Sequence, residues 1–248
     1  MSCDSSGYGE RRCGDVVLRA TAVGKHYDTE RGPLRVLSHV DLEVRQGEMV
    51  SVMGASGVGK STLLYVLGTL DQPTRGQLEI RGTDVMRLSE PELAAFRNRH
   101  IGFVFQFHYL LPEFTALENV LMPVLICGEN MEAGREEALR LMERVGLTDR
   151  LHHRPTEMSG GECQRVAVVR SLIRRPEVVL ADEPSGNLDE ATSEVLHDLI
   201  TELAQAYQQA FIIMTHDRGL AERANRMALL EGGRLHFSGT PDGRRTES

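Results

Sequence analysis

Gly54-Ala55-Ser56-Gly57-Val58-Gly59-Lys60-Ser61 decides how this chain is read. It fits G-x-x-x-x-G-K-[ST], a phosphate-binding loop in which each residue type has a physical job. The glycines let the backbone turn tightly and aim successive N–H groups at a polyphosphate. Lys60 adds a point charge at the β/γ-phosphates, and the Ser61 hydroxyl is a ligand for Mg²⁺. The flanks agree. Glu48 to Met53 reads as a buried strand, and Ser61 to Leu67 as a helix whose N-terminus faces the phosphates, with Thr62 in the same contact set. Alone, the loop says that a nucleotide phosphate binds.

Further along comes Met158-Ser159-Gly160-Gly161-Glu162, then Gln164 and Arg165. The apolar run Val178-Val179-Leu180-Ala181 ends in Asp182-Glu183. Ser185-Gly186-Asn187-Leu188-Asp189 follows, and His216 comes after Phe211-Ile212-Ile213-Met214-Thr215. This ordered set resembles the ATP-binding cassette (ABC) ATPases, from about Val16 to about Gly239. The resemblance implies an α/β P-loop NTPase fold with a parallel core sheet, an antiparallel β subdomain and an inserted helical subdomain at about 106–155. Alternating strands and helices around the phosphate loop independently argue for a parallel sheet flanked by helices. One ABC domain is expected over 16–240, with flexible tails at 1–15 and 241–248.

The ligands implied are ATP and Mg²⁺. Asp182 ends a buried strand, where a carboxylate is costly without a cation; Mg²⁺, held also by Ser61, supplies one. Glu183 follows it and is the expected general base, polarising the attacking water. By resemblance, His216 is the switch histidine that hydrogen-bonds the γ-phosphate. Gln106, after the strand Ile101 to Phe105, resembles the Q-loop residue, whose amide touches Mg²⁺ or the attacking water. Tyr27 resembles the aromatic that stacks on adenine, a contact of roughly 0.5–1.5 kcal/mol beyond burial. Ser159, Gly160 and Gly161 form a second anion site at a helix N-terminus. The resemblance implies that they close on ATP held by Lys60 of a second copy, with Asp189 lining the interface of a head-to-tail homodimer.

Three positions depart from the commonest spelling: Met158 stands for Leu, Glu162 for Gln, and Ser185 for Thr. An acid at Glu162, near a polyphosphate, must point away or be paired.

Composition sets bounds. The 248 residues, 41% hydrophobic, suit one large domain or a domain with a subdomain. A net charge of −8 disfavours a nucleic-acid-binding surface. No signal peptide is read at the N-terminus, and no apolar run approaches the roughly 18 residues that span a bilayer. Cys3, Cys13, Cys127 and Cys163 lack metal-ligand spacing and suggest a reducing compartment. Cys163 sits at a helix start that would lower its thiol pKa, although a small buried residue is the favoured reading.

Local signals place the remaining elements. Two strands flank the turn-rich Asp28 to Pro33, and Gln77 to Arg81 adds another. Ser89/Glu92 and Thr115/Glu118 are capping boxes, and a helix over Arg135 to Val145 ends at Gly146. The signature helix runs from about Gly161 to Arg174, and a hairpin turns at Gly232-Gly233.

Phe105 to Val120 resembles the ATPases of bacterial lipoprotein-releasing (Lol) transporters, with Phe107-His108 and Pro112-Glu113-Phe114 the telling positions. Ala181 to Asn187 fits the wider group, which includes macrolide-exporter-like and cell-division-type ATPases. The resemblance implies a peripheral subunit on the cytoplasmic face of the bacterial inner membrane. It would drive lipoprotein release through permease subunits docked near Phe107, Tyr109 and Phe114, with cargo touched only indirectly. Phe107, Tyr109, Leu110, Leu111 and Phe114 are too dense for a solvated loop. They face a permease's coupling helix or fill the helical subdomain's own core, and both readings stay open. His108 and Glu113 are expected at the rim. The alternatives are an efflux ATPase, a division-type module that gates a membrane partner without transport, and a soluble ABC ATPase of DNA repair or translation. The last is opposed by the acidic balance and by the missing coiled-coil insertion and second cassette.

Overall fold

The computed structural model describes residues 14–30 and 32–237. The tail readings at 1–13 and 241–248, with Cys3 and Cys13, lie outside the described residues.

β1 (Val16–Thr29) and β2 (Gly32–Arg45) form a long antiparallel hairpin, pairing as far as Thr29 with Gly32, so the turn is tighter than the sequence suggests. β3 (Met49–Met53) is almost wholly buried and leads into the phosphate loop and α1 (Lys60–Leu67). β4 (Arg75–Ile80) and β5 (Thr83–Asp84) extend the hairpin on the β1 side. α2 (Glu90–His100) opens with the Ser89/Glu92 capping box and feeds β6 (Ile101–Phe105). α3 (Ala116–Cys127) opens with the Thr115/Glu118 box. α4 (Met131–Arg144) starts four residues before the expected Arg135, because the Asn130 side chain accepts from the amides of Glu132 and Ala133. α5 (Gly160–Leu172), β7 (Val178–Asp182), α6 (Glu190–Tyr207), β8 (Ala210–Met214) and α7 (Arg218–Glu222) follow in alternation. β9 (Arg226–Glu231) and β10 (Arg234–Phe237) close the described chain as a hairpin.

The strand order is β5-β4-β1-β2-β10-β9-β3-β8-β7-β6. β9, β3, β8, β7 and β6 run parallel, and β5, β4, β1 and β2 are antiparallel. A single parallel bridge, Arg234 to His39, joins the two parts. The central strands are largely apolar, as strands covered on both faces are: β8 throughout, β7 up to Asp182, and β3 but for the buried Ser51, whose hydroxyl donates to the Ala221 carbonyl. β8 divides its side chains by the two-residue period: Phe211 and Ile213 join a core with α3, α4, α5 and α6. Ala210, Ile212 and Met214 join a core with α1 and the β1–β2 hairpin. Truncating one of these, such as Ile213 to Ala, costs about 2–5 kcal/mol.

Candidate nucleotide site

Val52 pairs with Met214, Met214 with Asp182, and Asp182 with Phe105. The carboxyl ends of β3, β8, β7 and β6 therefore lie side by side. The phosphate loop, Thr215–His216, Asp182–Glu183 and Gln106 all emerge there, at the edge where open parallel sheets bind ligands.

Gly59 has φ +109°, and a Cβ added there would lie 2.6 Å from Val36 Cγ1, so the tight turn into α1 requires glycine. α1 starts with no side-chain cap and no acid in its first turn. Its leading amides are left for an anion. Ala55, Ser56 and Gly57 are exposed at the loop's crest, and Gly54 and Val58 are half-buried. Lys60, 9% exposed, donates from Nζ to the carbonyls of Gly54 (2.8 Å) and Ala55 (3.4 Å) and lies 3.7 Å from Glu183 Oε1.

The Ser61 hydroxyl hydrogen-bonds Asp182. Burial pushes the Asp182 carboxyl above its ordinary range; the Ser61 bond opposes this, and the neighbouring Glu183 charge adds to it. Two adjacent carboxylates facing one lysine are short of positive charge. Among the described residues no three His, Cys, Asp or Glu converge as a metal cage. Mg²⁺ bound with a nucleotide needs only one or two carboxylates, the rest coming from phosphates and water. Asp182 and Ser61 fit that donor set.

Glu183 is 16% exposed and has φ +45°, a left-handed conformation costly for a residue with a side chain. Its N–H donates to Met214 O at 2.8 Å, tying the strained residue to β8. Its Oε2 accepts from the His216 amide at 3.2 Å and lies 2.9 Å from His216 Nδ1. The exposed His216 ring keeps Nε2 free of that contact. Neither the strain nor the Glu183–His216 pair was legible in the sequence, because both depend on β7 and β8 lying adjacent.

Gln106 is held to Asn187: its Nε2 donates to Asn187 Oδ1 at 3.0 Å, and Asn187 Nδ2 returns a bond to the Gln106 carbonyl at 3.1 Å. These bonds engage the Nε2 donor and the backbone carbonyl, not Oε1, the amide atom that a metal would use. Tyr27 donates its hydroxyl to Asp71 Oδ2 at 2.8 Å and also meets Thr62 at the start of α1. Lys25 covers one face of the ring at 4.8 Å, so a stacked base would use the other.

Ser159 caps α5, accepting from the Glu162 amide at 3.2 Å, while Glu162 Oε2 accepts from the Ser159 amide at 2.8 Å. Arg150 Nε donates to Glu162 Oε1 at 2.8 Å. The backbone bond and Arg150 hold the Glu162 carboxyl down at about 2. The acid is therefore paired, one of the two arrangements expected of it. A Cβ on Gly161 would meet Thr192 Cγ2 at 2.5 Å. Asp189 caps α6, accepting from Thr192 N and Oγ1. Ser159, Gly160, Asn187 and Asp189 are exposed. Among the described residues no hydrogen bond or ion pair joins Ser159–Gly161 to the phosphate loop; one chain carries two separate halves. Cys163 departs from the helix-start expectation: burial raises its thiol pKa, with the Glu162 charge adding to the rise.

In the segment after Gln106, Phe107 (61%) and Tyr109 (64%) are the most exposed, Phe114 and Leu111 less so, and Leu110 (7%) alone is core. Buried Asn119 shapes the bend, accepting from Leu111 N and donating to the carbonyls of Leu111, Phe114 and Thr115. That role leaves no trace in local sequence pattern.

The ABC transporter family model matches residues 37–186. The chain belongs to the ABC transporter family. It is an ABC-type ATPase. The lipoprotein-releasing system ATP-binding protein LolD of Bacteroides thetaiotaomicron is 53% identical over 204 residues, covering 82% of this chain and 94% of the relative. LolD of Xanthomonas campestris pv. campestris is 49% identical over 222 residues, 90% of this chain and 93% of the relative. Among solved structures, the ATP-binding cassette MJ0796, in a dimeric post-hydrolysis state bound to ADP and Pi, superposes with a TM-score of 0.81 at 35% identity. That match covers 89% of this ABC chain and 97% of MJ0796.

Proposed function

We propose that this ABC ATPase works as a nucleotide-sandwiched pair on the cytoplasmic face of a bacterial inner membrane, driving release of lipoproteins through a permease. The observation that carries the reading is the exposed Phe107–Phe114 segment beside Gln106, in a chain about half identical to LolD proteins over most of its length. No helix among the described residues is long and apolar enough to cross a membrane, so the membrane path belongs to a partner.

In this reading the open amides of α1 and Lys60 hold the β- and γ-phosphates, and Tyr27 packs on adenine. Ser61 and Asp182 hold Mg²⁺, with Gln106 joining through Oε1. When bound, Mg²⁺ neutralises charge on the phosphates. Glu183, held by the His216 contact, accepts the proton of the attacking water. His216 offers Nε2 to the γ-phosphate. Ser159, Gly160 and Gly161 of a second copy cap the same nucleotide, with both Asp189 loops at the seam. Phe107, Tyr109 and Phe114 meet the permease.

The experiment is a membrane pull-down with tagged Glu183→Gln in Mg-ATP. Recovery of lipoprotein-releasing permeases is the expected result. A division-type permease, an efflux permease, or no membrane partner overturns the lipoprotein assignment and leaves the ATPase chemistry intact.

A further inference from the structure

The link from β6 to α3 is fastened to α5 at two points. Gln164, buried on α5, donates Nε2 to the carbonyl of Phe105 at 2.8 Å, just before Gln106. Arg170, further along the same helix, donates to the carbonyls of His108 (2.7 Å) and Tyr109 (2.8 Å), just after Phe107. The two anchors bracket the residue read above as the Q-loop glutamine and the exposed aromatic beside it.

The Arg170 anchor is not ordinary surface chemistry. Burial depresses its pKa, yet a guanidinium keeps its charge in proteins. Among the described residues no carboxylate pairs with it, so the cation's hydrogen bonds go to loop carbonyls. Such bonds to a charged donor are among the stronger ones. Tyr109, one of the two carbonyls, has φ +45°. A strained non-glycine residue persists only where its surroundings over-determine it, and Arg170 is one such restraint. His108 belongs to the same arrangement: its Nδ1 accepts from Leu110 N at 3.3 Å, and burial with the nearby Arg170 charge favours its neutral form.

We propose that Gln164 and Arg170 are positioning residues that clamp loop 105–109 to α5, so that the exposed Phe107–Tyr109 surface and the Ser159–Gly161 helix start move as one body. α5 would then be the rod between a permease on one side and a partner's nucleotide on the other. The inference rests on the permease-docking reading above for its meaning, but its mechanical content does not require a permease.

The test is hydrogen exchange on the full chain in a Glu183→Gln background, comparing the parent with Arg170→Met and Arg170→Lys. In the parent, adding Mg-ATP should change exchange at 108–110 and at the start of α5 together. In Arg170→Met, amides at 108–110, beyond the Gln106 that would itself meet Mg²⁺, should exchange at least about tenfold faster while the rest of α5 is unchanged, and those amides should no longer respond to Mg-ATP together with the α5 start. Arg170→Lys, keeping one cationic donor, should partly restore the joint response. If Arg170→Met melts far below the parent, Gln164→Leu takes its place with the same expectation. The proposal fails if 108–110 respond to Mg-ATP in the variant as in the parent, or if 108–110 and the α5 start respond separately in the parent. A failed permease pull-down would remove the lipoprotein reading and leave this exchange result standing.

Discussion

α1 and α5 both begin in serine- and glycine-bearing turns, yet their first turns are finished differently. α1 has neither a side-chain cap nor an acid to receive its leading amides. α5 has both: Ser159 and Glu162 close a reciprocal capping box, and Arg150 locks the glutamate. A helix start with open donors gains directly from an anion. A start that satisfies itself gains less, since a phosphate must replace a cap worth about 1 kcal/mol. On the function proposed above, the first half would bind nucleotide alone, and the second would engage only when a partner presents the phosphates in place.

On that proposal hydrolysis needs both halves, and the largest expected effect falls on the chemistry they enclose. Glu183→Gln should leave ATP binding intact and slow steady-state hydrolysis by about 10²–10⁴-fold, the range for a positioned base. Hydrolysis at the parental rate would show that Glu183 is not the base. Next come the two glycines. Gly59→Ala combines a left-handed φ with a 2.6 Å approach to Val36, so ATP binding to the isolated chain should weaken by about tenfold or more. Gly161→Ala meets only the Thr192 methyl, at 2.5 Å. It should spare ATP binding to the single chain and weaken ATP-dependent dimerisation, read by analytical ultracentrifugation in the Glu183→Gln background. Equal losses of single-chain binding in both variants would erase the distinction between the halves.

The elements that build this site were legible because their signals are local. β8 is an unbroken apolar run, β7 is one up to Asp182 and β3 one but for Ser51, and Ser89/Glu92 and Thr115/Glu118 announce helix starts within four residues. What stayed hidden depends on residues distant in sequence. Gln106 finds Asn187 across 81 positions, and Glu183 is bent into φ +45° between β7 and β8. From its neighbours Glu162 is expected to point away or be paired, but the sequence does not reveal Arg150 as its partner, since no periodic pattern links a short turn to the next helix. The aromatic segment was ambiguous for the same reason: density of apolar residues cannot say that Leu110 turns inward while Phe107 and Tyr109 turn out.

The smallest effects probe the α5 cap itself. Ser159→Ala removes the hydroxyl acceptor and should cost about 1 kcal/mol, lowering the melting temperature by about 2–4 °C without nucleotide. Glu162→Gln is subtler. Glutamine can still accept from the Ser159 amide, so the box survives and what is lost is the charge facing that amide and Arg150, less than about 1 kcal/mol at neutral pH. The sign of the pH dependence follows from the depressed carboxyl. With a folded value of about 2 against an ordinary 4.5, the stabilisation is complete above 4.5 and is lost as pH falls toward 2. Urea titrations of parent and variant should therefore differ most near neutrality and converge as pH drops through that window. A gap that stays constant would mean that the Ser159 amide and Arg150 do not hold the carboxyl down in the folded chain. In the Glu183→Gln background the same substitution removes a negative charge from the start of α5, so ATP-dependent dimerisation should tighten slightly. If it weakens instead, the Glu162–Arg150 pair serves closure, and α5 is prepared for its partner by that pair as well as by its cap.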